Sequence, residues 1–155
     1  MKKLILPAIA VLILSVVGTI AYQYFTRPSD RILIQESLDE TIMAAKEGRP
    51  SPVLDGLSKK FTFGDESPLR MDISKVVREA KPDIVVLNPE PTITGDEATI
   101  ISDVTVKGNY MTMPIGSTFT DVKIVFKRET SNRYLVVPWS KWRIISVEAQ
   151  NLPSY

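Results

Sequence analysis

Cysteine and histidine are both absent from the 155 residues. Without Cys there is no disulfide framework, no thiolate zinc site, no cysteine nucleophile and no lipidated Cys anchor. Without His the commonest general base and the commonest metal ligand are missing, which excludes Ser-His-Asp and Cys-His mechanisms. A charge excess of either sign is lacking too. The chain has 19 basic and 18 acidic residues, net +1, with no polyelectrolyte signature for nucleic acid. The seven glycines are scattered and form no G-x-G-x-x-G or phosphate loop. Asp65-Glu66 and Asp96-Glu97 are isolated pairs in turns, not the converging carboxylates that a Ca²⁺ or Mg²⁺ site requires. The expectation is a domain with no metal, no cofactor and no nucleic-acid partner.

What is present begins at the N-terminus. Leu4 to Phe25 is a run of 22 positions without a charged residue, preceded by Lys2-Lys3 and ending in Tyr22, Tyr24 and Phe25. About 20 apolar residues cross a bilayer as a helix, and aromatic residues settle at its interface. Residues 1–27 therefore read as a transmembrane anchor, or alternatively as a cleaved signal peptide. The poor small-x-small site at Thr19-Ile20-Ala21 and the length of the run favour the anchor. Lys2 and Lys3 then stay cytoplasmic and residues 28–155 form one extracytoplasmic domain, on a single-pass membrane protein. Cleavage would make it a secreted protein instead. Without residues 1–27 the chain has 16 basic and 18 acidic residues, so it has no electrostatic attraction to an anionic surface.

Three helices come first in that domain. Pro28-Ser29-Asp30 offers a cap for a helix to Lys46, in which Ile34, Leu38, Ile42 and Ala45 share a face and which Gly48 and Pro50 terminate. Ser51-Pro52 reads as the cap and first position of a short helix with Val53, Leu54 and Leu57 inward, ending near Lys59-Lys60. Asp72 caps a third, with Ile73, Val76, Val77 and Ala80 on one side and Pro82 as the stop. Strands follow: a brief extended Phe61–Phe63 lies between the helices, then Ile84–Leu87, Thr92–Thr94, Ala98–Val106, Tyr110–Met113, Thr118–Lys127, Tyr134–Val137 and Trp142–Ala149. Pro114-Ile115-Gly116 reads as a break and Glu129–Arg133 as a polar turn. In the long strand Ala98, Ile100, Ser102, Val104 and Val106 share one face, and Thr99, Ile101, Asp103, Thr105 and Lys107 the other. The class is α+β, with three helices on a curved antiparallel sheet.

That order, with Arg31–Glu40 as the opening helix, Val53–Phe61 as the second, Gly95-Asp96-Glu97-Ala98 as a hairpin and Trp142–Val147 as the closing strand, resembles the nuclear-transport-factor-2-like superfamily. This superfamily is also called the cystatin-like cone. The local phrases resemble bacterial members of unassigned function, here with a membrane anchor. The resemblance covers residues 30–150 and implies a cone around an apolar pocket, with dimerisation through the sheet. The isomerase-like and cyclase-like members work with acids, Tyr or His inside the cone. That constellation does not map here, so no catalytic residue is carried over.

A base would need a buried carboxylate with a tuned pKa. Asp103 with Tyr110 is the nearest approach, and Asp103, Asp121 and Glu148 all read better as solvated strand residues. Phe61, Tyr110, Met111, Met113, Trp139 and Trp142 are the candidates to line a pocket or a docking patch, because Met adapts to irregular surfaces and Trp is enriched at interfaces. Ile101 and Ile145 suggest a partly apolar outer face for self-association. The leading expectation is a non-enzymatic, membrane-tethered domain that binds a protein partner or a small apolar ligand. The alternative is a small isomerase, cyclase or hydrolase using a carboxylate and a Tyr.

Overall fold

The structure is a computed structural model and describes residues 11–19, 21–22, 28–110, 113–134 and 137–149, with backbone alone at 110, 113–115, 131–134 and 137–139. Residues 11–19 and 21–22 are helical and exposed. Among the described residues no helix is long and apolar enough to cross a membrane, and the rest of the Leu4–Phe25 run lies outside them.

The domain runs α1 (Asp30–Lys46), α2 (Pro50–Gly56), β1 (Leu57–Phe63), α3 (Arg70–Ala80), β2 (Asp83–Val86), β3 (Thr92–Thr94), β4 (Glu97–Tyr110), β5 (Met113–Tyr134) and β6 (Val137–Glu148). In α1 the inward stripe is Ile34, Ser37, Leu38, Thr41, Ala44 and Ala45, narrower in side-chain size than the apolar spacing predicts. The reason is α2, which crosses so closely that a Cβ on Gly56 would stand 2.1 Å from Thr41 Oγ1. Only small residues fit that contact. Ser37 and Thr41 are satisfied there by donating to the carbonyls of Trp142 (3.0 Å) and Ser37 (2.7 Å).

Glu47 and Gly48 close α1, with Gly48 at φ 71°, a left-handed conformation that glycine adopts without strain. The expected cap of α2 is two residues late. Pro50 stands at the first helical position and Arg49 precedes it, because Arg49 N–H is already taken by Ala44 O at 2.8 Å. Leu57, expected to end this helix, is extended and opens β1. Asp72 lies in the first turn of α3 rather than capping it, and Lys81, left-handed at φ 42°, closes that helix before Pro82.

The sheet order is β1-β6-β5-β4-β2, with β3 on the same edge of β4 as β2 but at its other end. All pairs are antiparallel except β1 with β6, so the sheet is mixed and the expected purely antiparallel one is corrected. Pro114-Ile115-Gly116 is no break and Glu129–Arg133 no turn. Both lie inside the 22-residue β5. Pro114 is tolerated because β6 pairs with β5 only from Lys123 onward, leaving Pro114 a neighbour on one side.

Irregularities interrupt the register, and such bulges bend a strand and raise its local twist. One lies between Ser102 and Val104, opposite Asp121 at φ 52°, and another makes Ile145 the extra residue of β6. Ala98, Ile100, Val104, Val122, Ile124, Phe126, Trp142 and Ile144 form the concave side and meet Ile34, Leu38, Val53 and Val77 from the helices.

Candidate functional site

The inner and outer faces of the sheet offer different chemistry. Inside, Phe126, Ile34 and Ile100 are fully buried and the neighbouring apolar side chains close around them. Ser102 is the polar residue among them on β4. Its hydroxyl accepts Asn88 N–H at 2.8 Å and donates to Asp103 O at 3.1 Å, which ties down the segment after β2.

Trp142 is 2% exposed, and its indole N–H donates to Asp30 Oδ1 at 3.2 Å. Arg128, its cross-strand partner, lies over the ring at 4.9 Å and donates to Asp30 Oδ2 at 2.5 Å. The Arg128 backbone N–H donates to Asp96 O at 2.8 Å. Its Nε is buried without a hydrogen bond, 3.5 Å from Asp96 Oδ1. Three elements are thereby joined at the first turn of α1. Such a stacked and paired guanidinium contributes about 1 kcal/mol through the cation–π contact.

A second charged group sits where α2 runs into β1. Asp55 accepts from Lys141 at 2.7 Å and from Arg143 at 3.2 Å, while Arg143 also donates to Asp55 O and to Glu129. Glu129 accepts from the buried Ser58 hydroxyl at 2.5 Å. The hydrogen bond from Lys141 is the main reason the Asp55 carboxyl is held below its ordinary value, against the opposing effect of partial burial. Ser58 is spent on this network and on Lys60 N–H, so it is a structural serine.

The outer face is a surface. Thr99, Ile101, Val125 and Ser146 share it by register, and Ile101 is 61% exposed. Two cross-strand ion pairs, Lys127–Glu97 and Lys123–Glu148, each at 3.7 Å, flank the row Thr99–Val125–Ser146, and Ile101 stands directly opposite Lys123 in the second of these outer rows. Asp103 lies on this face too. Its side-chain oxygen accepts Asp121 N–H at 3.1 Å and so stabilises the bulge on the outer side of the strand. At the far end of the sheet an open polar groove runs between α3 and β4, lined by Glu79, Lys81, Asp83, Lys107 and Asn109. Gly108 fits the close approach there, because a Cβ would stand 3.0 Å from Ala80 O and the backbone would have to give by a few tenths of an ångström.

Of the residues singled out from sequence, Phe61 is half-buried against the core and Trp142 is part of it. The side chains of Tyr110, Met113 and Trp139, and all of Met111, lie outside the described residues. The structure thus brings Phe61 and Trp142 to one core. Arg128 joins that core from β5 by packing on Trp142. Asp30, Asp55, Glu129, Lys141 and Arg143 were not legible as a group, because only the β5–β6 register and the parallel β1 strand place them together.

No known family model and no curated protein sequence matches the chain. Solved structures do match. An NTF2-like protein of Cytophaga hutchinsonii is 14% identical with a TM-score of 0.63, over 81% of this chain and 100% of that one. The CaMKII hub of S. rosetta is 12% identical at TM-score 0.56, over 81% and 98%. A proposed ketosteroid isomerase of Shewanella frigidimarina is 16% identical at TM-score 0.51, over 76% and 94%. At these identities the likeness is one of fold: an α+β, NTF2-like cone with helices on a mixed sheet. Fold alone does not assign a function.

Proposed function

We propose that the chain is a non-enzymatic, membrane-tethered, extracytoplasmic interaction domain that pairs with a second copy of itself through the outer face of the sheet. The observation that carries this is the exposed Ile101, which borders the middle row Thr99–Val125–Ser146 of that face, with the Lys123–Glu148 pair alongside it and the Lys127–Glu97 pair on the far side of that row. Such a patch has an apolar middle and charges of both signs at its rim. It is self-complementary under a two-fold axis, because each Lys can meet the partner's Glu. The described inner face is filled by large apolar side chains, which favours a protein partner over a small apolar ligand.

The tether is supported by the apolar run and by a detail of its described part. The Ser15 and Thr19 hydroxyls bond back to the carbonyls of Val11 (2.8 Å) and Ser15 (2.7 Å), which satisfies them where no water is present. The N-terminus is cytoplasmic in this reading, from Lys2 and Lys3.

The test is sedimentation equilibrium of the full chain in detergent, with Ile101→Lys beside it. The expected result is a dimer that the substitution turns into a monomer of unchanged fold. A wild-type monomer at all concentrations would overturn the pairing.

A further inference from the structure

We propose that the end of the domain built by Asp30, Arg128 and Trp142 is seated against the lipid headgroups, and that these three residues hold it there. The inference rests on the tether proposed above. It adds which surface meets the bilayer and which is turned away.

The argument is one of chain length and of a cross-link. Asp30 lies five chain steps beyond Phe25, which at about 3.6 Å per step is at most about 18 Å of chain. The start of α1 therefore lies close to the membrane surface. It is fixed to the sheet, because Asp30 uses both carboxylate oxygens to bind β5 through Arg128 and β6 through the Trp142 indole. Arg128 in turn binds the β3–β4 turn through Asp96 O. Next to it Arg31 pairs with Glu90, and Gln35 Nε2 lies 3.4 Å from Pro89 O. The start of α1, the β3–β4 turn and the loop before β3 thus form one end of the molecule.

Charges at this end are mostly paired within it: Arg31 with Glu90, Lys127 with Glu97, and Arg128 with Asp30 and Asp96. Its net charge is small, so a headgroup layer neither repels nor strongly attracts it. α1, 17 residues or about 25 Å long, points away from this end to the Lys46–Asp83 pair. Asp83 pairs in register with Lys107 on β4, ten residues or about 30 Å along from Glu97. The polar groove between α3 and β4 consequently opens at the end remote from the bilayer. Releasing Asp30 lets the first turn of α1 peel back as far as the buried Ile34, lengthening the tether and freeing the domain to tilt.

The absence of native Cys makes the test direct. Single-cysteine variants of the full chain, Thr94→Cys beside the β3–β4 turn and Asn109→Cys at the remote end, carry a fluorophore and are reconstituted into phosphatidylcholine vesicles containing a headgroup-nitroxide lipid. An alkaline wash before measurement shows whether the protein is inserted. The expected result is retention through the wash with several-fold stronger quenching at 94 than at 109. Asp30→Asn and, as a milder variant, Arg128→Lys then bring the two values together while near-ultraviolet circular dichroism reports an intact fold. Loss of the protein in the wash overturns the tether and this proposal with it. Retention with equal quenching at both positions overturns this proposal alone. Unequal quenching that neither folded variant changes overturns the role of Asp30 and Arg128.

Discussion

The two faces of the one sheet are made from the same strands, yet they are organised by opposite rules. On the inner face of β4 and β5, Ala98, Ile100, Ile124 and Phe126 are buried to 5% exposure or less and held by shape. On the outer face, one residue along, Thr99, Ile101, Lys123 and Lys127 meet water and are held by cross-strand pairs. The inner face specifies the fold. The outer face is free to specify a partner, because changing it costs the fold little.

That contrast can be broken most forcefully from inside. Phe126→Ala should cost about 3–5 kcal/mol, seen as a large drop in the urea midpoint, since its cavity lies under fully buried neighbours. Ile101→Ala should change the midpoint of the monomer by less than about 0.5 kcal/mol while weakening self-association, the inverse outcome. Equal effects of the two on unfolding would erase the distinction between the faces.

Gly56→Ala tests how tightly the helices lie on the inner face. The added methyl collides with Thr41 Oγ1, and a loss of about 1–3 kcal/mol is expected in thermal unfolding. Combining it with Thr41→Ala should recover part of that loss, and simple additivity of the two would show that the contact is not the cause.

Among the polar contacts, a small effect belongs to Asp55, where α2 runs into β1. Its carboxyl is held below the ordinary carboxylate value of 3.8 in the folded state, chiefly by the hydrogen bond from Lys141. Its contribution is therefore complete above that value and is lost as the pH falls through the lower folded value. The carboxylate is 56% exposed, so solvent screening limits the worth of the pair to about 0.5 kcal/mol. In acid titrations of stability Asp55→Asn should flatten the fall below pH 4 slightly and leave the curve above neutrality parallel to wild type. An unchanged acid limb would remove Asp55 as a contributor.

The inner face was the part most legible in the sequence. The alternation Ala98, Ile100, Ser102, Val104 placed β4 and its buried side correctly, because period-two spacing is set by the strand itself. The turn at Gly95-Asp96 and the stops at Gly48 and Pro82 were legible for the same local reason. Leu57 was not. Val53, Leu54 and Leu57 have helical spacing, and what makes Leu57 extended is a β6 partner about 87 residues further on at Ile144. Glu129 to Arg133 read as a turn because a strand running past the core carries polar residues on both faces. Of the candidate site, Ile101 was visible as an outward apolar residue in an alternating strand. The ion pairs that frame it depend on the β4–β5 and β5–β6 registers, which no local signal specifies.

The parallel pairing of β1 with β6 also sets an order of events. β4, β5 and β6 are joined by short hairpins and can zip together as soon as each emerges. β1 leaves the ribosome early, yet its partner is nearly the last strand made. Closing so long a loop is slow and must follow the hairpins. Until then Leu57 to Phe63 is an unpaired edge, and Leu57, destined to be buried, is exposed on the nascent chain. The interval between synthesis of β1 and arrival of β6 is when this chain most needs protection from its neighbours.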